Sequence, residues 1–344
     1  MSKKPKVSII IPALNVADTI ERCVNSALKQ TYPDTEVIVI EGDSSDGTRF
    51  LLKQIEDRCD LEEPEKLKLF LTTFDNIATA RNTGLSKATG KYVFWLEPTD
   101  YLAPDAVETY VENALRTGAE MIKNTCRDAM VGTITFDRVA YIRMILDGSI
   151  SKDIAGTMFD KDVFHSISFD RRSVTPEDQA YMAICEKCQN VTLIRRNDLY
   201  HRFCEAKPKD AKVMLSEAVV SELTYEKYSK LYPIECEHVL AGFASLAVSV
   251  YFKGKKFSSD AEEEDMANSA RLLLLNHELS IEKNSLIDGY TKTCVQTICR
   301  KNSFVAWFLK LFWKNSDNTD QQTRKEEPYA RKIRSSGNTV RHRE

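Results

Sequence analysis

Four short stretches carry residue types that could do chemistry together. Glu97-Pro98-Thr99-Asp100 follows the apolar run Tyr92 to Leu96, so two carboxylates stand directly after a buried strand. The loop Glu41-Gly42-Asp43-Ser44-Ser45-Asp46-Gly47-Thr48 follows a second apolar run, Glu36 to Ile40. Arg81 and Asn82 lie within Ala80-Arg81-Asn82-Thr83-Gly84, and Pro176-Glu177-Asp178 opens an amphipathic segment with a further pair of acids. Ligands of open α/β sheets settle beyond the carboxyl ends of parallel strands, so acids delivered there stand where a ligand would be held. Carboxylate oxygens suit Mg2+ or Mn2+, arginine is a permanent cation, and an aspartate beside a hydroxyl can act as a general base. Each residue also has a plainer use. Asp43 and Asp46 could cap a helix, Arg81 could pair with a surface acid, Asp178 could answer the helix dipole, and His201 could be hydrogen-bonded in a strand.

The elements that must position these groups alternate. Val7 to Ile11 is a β-branched run ending at Pro12 and reads as a buried parallel strand. Asp18 with Glu21 predicts a capping box for a helix to about Gln30. Strands are then expected at Glu36–Ile40, Leu67–Thr72 and Tyr92–Leu96, with helices to about Arg58, over Ile77–Lys87 and over Asp105–Thr117. This β-α alternation predicts an α/β fold with a doubly wound, mostly parallel sheet. Beyond Ala119 the pattern predicts a strand over Met121–Thr125, a helix over Phe136–Leu146, the helix opened by Pro176, a strand at Val191–Ile194 and an extended piece at Leu199–Phe203. A helical C-terminal extension follows: Val213–Lys230, His238–Phe252, Met266–His277 and Ser285–Arg300.

In order and spacing the stretches resemble the family-2 glycosyltransferases of GT-A-type fold, whose members show a VSVIIPxYN start, a VDDGSTDGT loop, an ARNxG helix and a FLDxDD loop. The matching stretches are Val7 to Asn15 (VSIIIPALN), Ile40 to Thr48 (IEGDSSDGT), Ala80 to Gly84 (ARNTG), Phe94 to Asp100 (FWLEPTD) and Pro176 to Asp178 (PED), with Phe169-Asp170 and Leu199 to Phe203 in the same rhythm. The resemblance spans roughly residues 6 to 205. It implies a nucleotide pocket framed by Pro12, Leu14, Asn15, Glu41 and Asp43, with Arg81 reaching the nucleotide and Asn82 shaping the pocket. It implies a divalent metal (Mg2+ or Mn2+) held by Asp100 and Glu97 with His201 as a third ligand, and Asp178 as the base for in-line, inverting transfer. The partners it implies are a nucleotide-sugar donor, a UDP-sugar first, and a glycan or lipid-linked acceptor in cell-surface polysaccharide synthesis. One departure stands out. Thr99 sits where the family places a metal-binding carboxylate, and a hydroxyl is a much weaker ligand for a divalent ion. Three outcomes stay open: a rearranged metal site, a metal-independent enzyme, and a catalytically degenerate relative that acts as a binding or scaffold partner of an active transferase.

Composition bounds the rest. A net charge of -3 over 344 residues gives no bulk electrostatics for nucleic acid. Nine scattered cysteines suit reduced thiols, and the basic start MSKKPK leads into a run too short for a signal segment, so a cytoplasmic protein is expected. Cys185, Cys188, His201 and Cys204 have zinc-like spacing, but the first two fall inside the expected helix. No Q-x-x-R-W motif of a processive synthase is present. Phe304 to Trp313 holds nine apolar residues around Lys310, too short to span a bilayer. It could pack on protein or make a peripheral membrane contact at the inner face of the cell membrane. The expected organisation is a transferase domain over 1–210 (a nucleotide-binding half to 125 and an acceptor half over 126–210), a helical region over 211–302, the apolar segment at 303–314 and a disordered basic tail over 315–344.

Overall fold

A computed structural model describes residues 4–302 apart from 75, 126–131, 204–209 and 255–260, together with 305, 306, 309 and 313. The chain divides into two compact units, residues 1–240 and 241–344. The first begins β1 (Val7–Ala13), α1 (Ala17–Leu28), β2 (Thr35–Glu41), α2 (Thr48–Glu62), β3 (Leu67–Leu71), α3 (Ile77–Lys87) and β4 (Tyr92–Trp95). It continues with β5 (Tyr101–Leu102), α4 (Ala106–Thr117), β6 (Met121–Asn124), β7 (Gly132–Asp137), α5 (Arg138–Leu146) and β8 (Thr157–Asp160). After a 3-10 turn at Lys161–Phe164 come α6 (Pro176–Lys187), β9 (Asn190–Arg195), β10 (Tyr200–His201) and α7 (Ala211–Tyr228).

Eight strands form one sheet in the order β3-β2-β1-β4-β8-β6-β9-β7, and β10 pairs with β5 apart from it. Pairs β1–β2, β1–β4, β2–β3 and β6–β9 are parallel, whereas β8 runs against both its neighbours and β7 against β9. Six strands therefore run one way, and the sheet is mostly parallel. The chain leaves β1 on one side for β2 and β3 and returns to β4 on the other, which puts the topological switch at the carboxyl ends of β1 and β4.

Side-chain alternation builds two cores from one strand. Val7, Ile9 and Ile11 point to the face covered by α1, α2 and α4, where they meet Cys23, Val24, Leu52, Ile55 and Tyr110. Ile10, with Ile38, Ile40, Val93 and Trp95, points to the face covered by α3, α5 and α6, among Ala78, Ala80, Tyr141, Tyr181 and Ile184. Both faces of β1 are dry, hence its unbroken apolar run. Each such side chain contributes about 1.5 to 3 kcal/mol by leaving water.

Three expectations change. The helix expected at Phe136 starts at Arg138, because Phe136 pairs with Val191 in the edge strand β7. The short β8, between β4 and β6, carries no alternating pattern and was not legible. The capping box at Asp18 does not form: α1 starts at Ala17, Val16 is its N-cap, and no local side chain caps it.

In the second unit, α8 (Glu235–Gly254, begun in the first), α9 (Ala261–Lys283) and α10 (Gly289–Cys299) are helical. Arg271 donates to the carbonyls of Ile298 and Cys299 at 3.2 and 3.0 Å, which satisfies the last turn of α10. Of the apolar segment, Val305, Ala306, Leu309 and Trp313 are described and helical. Trp313 is buried: its Nε1 donates to Ser249 at 3.0 Å and its ring stacks on Tyr290. This ring faces protein. The rest of the segment and the basic tail lie outside the described residues, as does Cys204. No helix among the described residues is long and apolar enough to cross a membrane.

Candidate active site

At the ends of β1 and β2 two loops interlock. Asp46 Oδ2 accepts from Ala17 N at 3.0 Å while its Oδ1 accepts from Thr48 N at 3.1 Å, so one carboxylate caps both α1 and α2. Those bonds, led by that from the Thr48 hydroxyl, hold its pKa below the ordinary aspartate value. Gly47 sits at φ 95°, a conformation that costs glycine nothing and other residues strain. Asn15 accepts from Ser45 N at 2.9 Å and its own N–H reaches Ser44. Glu41 is wholly buried; its oxygens accept from Ser44 N at 2.6 Å and Arg49 Nε at 2.7 Å. Burial pushes its pKa up, and these donors outweigh that and lower it. Glu41 thus holds the loop's shape from inside. Asp43 is exposed and pairs with Arg49 at 2.9 Å, Pro12 is buried in β1, and Leu14 stands partly exposed beyond it.

Helix α3 contributes Arg81. Its Nε donates to Glu177 and an Nη2 hydrogen to Glu97, each at 2.6 Å, and the guanidinium lies 4.9 Å from the Trp95 ring centre. Burial works against the charge, but the two carboxylates hold its pKa above that of an ordinary arginine. Two of its nitrogens are spent. The third, Nη1, is buried without a hydrogen-bond partner. Asn82 closes a two-way clamp on Phe169, donating to its carbonyl at 2.8 Å and accepting from its N–H at 2.9 Å. Asn76, the N-cap of α3, donates to the carbonyls of Arg171 and Ser173. Together they steer the segment that leads into α6, and so place Glu177 and Asp178. Gly84 explains the last letter of ARNTG: a Cβ there would lie 2.4 Å from Ile10 Cγ2, so only glycine lets α3 sit this close to β1.

In the loop after β4, Asp100 is almost fully buried. It accepts from Tyr200 OH at 2.5 Å, Phe203 N at 2.9 Å and Thr99 Oγ1 at 3.0 Å. Burial and then the neighbouring Asp100 charge push the Tyr200 phenol up, so it remains a donor. Arg22 ties down the same loop through the Thr99 carbonyl at 3.0 Å. His201 stacks on Tyr101, ring centres 4.4 Å apart. Among the described residues, Glu97, Asp100 and His201 form no group with ligand atoms all within 4.8 Å of one another. Asp100 is engaged by three protein donors, Glu97 is bound to Arg81, and Thr99 supplies only a hydroxyl. These residues do not fit a preformed divalent-cation site.

Arg81, Glu97, Asp100 and Asp178 nevertheless converge. They line a cavity of about 370 Å3 with Thr99, Lys152, Asp153, Glu177, Arg202 and Phe203. Arg202 pairs with Asp153 at 2.6 Å. Pro12, Leu14, Asn15, Glu41, Asp43 and His201 are not in that wall. Asn82 lines a wider groove of about 1180 Å3 with Lys161, His165, Asp170, Arg171 and Arg172. The smaller cavity is the one that gathers Arg81, Glu97, Asp100 and Asp178 from three of the motif stretches, which makes it the candidate site. The zinc-like cysteines Cys185 and Cys188 are buried free thiols inside and at the end of α6.

Residues 8–151 match the sequence profile of Glycosyl transferase family 2. The chain carries a family-2 glycosyltransferase domain of GT-A-type fold. Among its relatives is the putative teichuronic acid biosynthesis glycosyltransferase TuaG of Bacillus subtilis, 37% identical over 110 residues, 32% of this chain and 42% of that one. Escherichia coli WfgD, a UDP-Glc:alpha-D-GlcNAc-diphosphoundecaprenol beta-1,3-glucosyltransferase, is 34% identical over 111 residues, 32% of this chain and 41% of that one. The hyaluronan synthase of Pasteurella multocida is 36% identical over 116 residues, 34% of this chain but 11% of its own length. The chain thus matches well under half of each relative. In fold, it is similar to S. aureus TarS 1-349 in complex with UDP-GlcNAc (TM-score 0.66, 14% identity, 90% of this chain and 92% of that one). It also resembles the Pyrobaculum calidifontis mannosyltransferase PcManGT in complex with GDP-Man and Mn2+ (TM-score 0.50, 15% identity, 93% and 88%).

In this glycosyltransferase domain the motif residues sit on strand ends and the first turns of helices, where local pattern makes them legible. The cavity residues Lys152, Asp153 and Arg202 were missed. They lie in irregular segments flanking β8 and β10, and no spacing signal marks them.

Proposed function

We propose that the chain is an inverting glycosyltransferase that moves a sugar from a nucleotide-sugar donor, a UDP-sugar first, to a hydroxyl of a glycan or lipid-linked acceptor in cell-surface polysaccharide synthesis. One observation carries this reading: Arg81 from α3, Glu97 from the loop after β4 and Asp178 from α6 meet on one small cavity at the switch point of the sheet. The uridine and guanosine nucleotide sugars bound by TarS and PcManGT support the donor class.

The chain's own groups divide the work. Asp178 takes the proton of the acceptor hydroxyl as its oxygen attacks the anomeric carbon from the side opposite the leaving diphosphate, which inverts that carbon. Glu97 and Glu177 fix the Arg81 guanidinium over Trp95, with Nη1 left to donate to the donor. Pro12, Leu14, Asn15 and Asp43 frame the base on a loop that Glu41 and Asp46 hold in shape. A divalent ion is assigned no step, because the residues expected to hold it are engaged with protein donors. Residence in the cytoplasm at the inner face of the membrane belongs to the same proposal; Trp313, turned into the second unit, is not its anchor.

The test is Asp178→Asn. Transfer from a nucleotide sugar is expected to fall about 10²- to 10⁴-fold, the typical worth of a general base, with nucleotide affinity within about twofold of the wild type. The engaged Asp100 and the threonine at position 99 favour a second reading, a degenerate relative that partners an active transferase. Binding of nucleotide without turnover, and unchanged cellular glycan in the Asp178→Asn strain, is the result that would select it.

A further inference from the structure

The charges around the cavity do not cancel at random. Arg81 is shared between Glu97 and Glu177, Arg202 is held by Asp153 at 2.6 Å, and Asp100 accepts from Tyr200, Thr99 and the Phe203 N–H. Lys152, from the turn between α5 and β8, is different. It lines the same wall, and among the described residues its ammonium has no hydrogen bond or ion pair at contact distance. Arg81 lines the same cavity, and its Nη1 is a buried donor without a hydrogen-bond partner. Asp178 and Glu217 act on the Lys152 ammonium without a hydrogen bond to it, so a cation with donors to spare lines this cavity, where an anion with more than one oxygen could be held.

We propose that Lys152, with Arg81 Nη1, neutralises the donor's diphosphate in place of a carboxylate-held divalent ion. This rests on the nucleotide-sugar reading above and deepens it. In the transfer step the bond between the anomeric carbon and the diphosphate oxygen breaks, and its electron pair stays on that oxygen. The acceptor oxygen bonds to the anomeric carbon and its proton passes to Asp178. The charge left on the departing diphosphate then develops beside the ammonium, where a fixed cation in a partly dry site is most effective. Burial lowers the pKa of Lys152 while Asp178 and Glu217 oppose it, and an arriving anion would favour the charged form further.

Titrations of the full chain with UDP, GDP and dTDP, in EDTA and in Mn2+, test this. The expected result is that the preferred diphosphate binds about equally in both. Lys152→Met should weaken it about tenfold, the cost of one charge-assisted hydrogen bond, and leave binding of the matching nucleoside and the thermal midpoint unchanged. Lys152→Arg should recover most of the loss. Binding that requires Mn2+, or Lys152→Met binding the diphosphate like the wild type, overturns the inference and leaves the nucleotide-sugar reading standing. If none of the three diphosphates binds in either condition, the donor reading itself falls, and the inference with it.

Discussion

Arg81 illustrates how a motif residue acquires its meaning from partners far away in sequence. ARNTG marks it as a candidate site cation, and the carboxylates that accept its hydrogen bonds are Glu97, 16 residues on, and Glu177, 96 residues on. The trio carries a net negative charge, so Arg81 by itself brings no excess positive charge to the cavity. Its removal strands two carboxylates in a poorly solvated wall. Arg81→Met is therefore expected to cost about 3 to 5 kcal/mol in urea unfolding, and Glu97→Gln with Glu177→Gln in that background should recover most of it. Lysine is not an adequate substitute, because a point charge cannot serve both carboxylates with the fork geometry of a guanidinium.

Elements meet at the site through shared capping. A local capping box at Asp18 was the natural expectation for α1, but the free N–H groups of its first turn are met by the other loop. Val16 N reaches Thr48 Oγ1 at 2.9 Å and Ala17 N reaches Asp46. The Asp-Gly-Thr stretch is thus a bolt between two helices. Asp46→Ala removes one cap from each helix and is expected to cost about 1 to 2 kcal/mol, read as a fall in thermal midpoint. Asp46→Asn, which keeps an acceptor, should lose less.

In the first unit the most strongly lowered carboxyl among the described residues lies at the opposite end of the sheet from the cavity. Glu36 is buried at the amino end of β2, where it accepts from Ser8 Oγ at 2.6 Å, Lys68 Nζ at 2.7 Å and Thr89 N at 2.7 Å and pairs with Lys6 at 3.2 Å. Burial pushes its carboxyl up, but these donors prevail and hold its pKa down from 4.5 to about 2. A carboxyl whose folded pKa lies below its unfolded one stabilises the fold above the unfolded value, and that contribution is lost as pH falls through the folded value. About 3 kcal/mol should therefore disappear between roughly pH 5 and pH 2. Circular dichroism of urea unfolding at several pH values checks this. Glu36→Gln should be less stable at pH 7 and lose less on acidification.

The strands, the helices of the βα repeats and the motif loops were readable in the residues, because buried parallel strands must be apolar throughout and strand-end loops must be polar and glycine-bearing. The order of elements pointed to a doubly wound α/β sheet, and the resemblance of the motif loops implied its GT-A-type form. What tertiary structure alone decided is which charges remain available. The engagement of Asp100 by Tyr200 and Phe203 and the division of Arg81 between two acids are contacts across tens of residues, and Lys152 reaches the cavity wall from an irregular segment without a hydrogen bond among the described residues. Pattern in a chain reports the face a side chain must hide or show. Whether a charged group is already satisfied depends on distances of about 3 Å that only the folded chain sets.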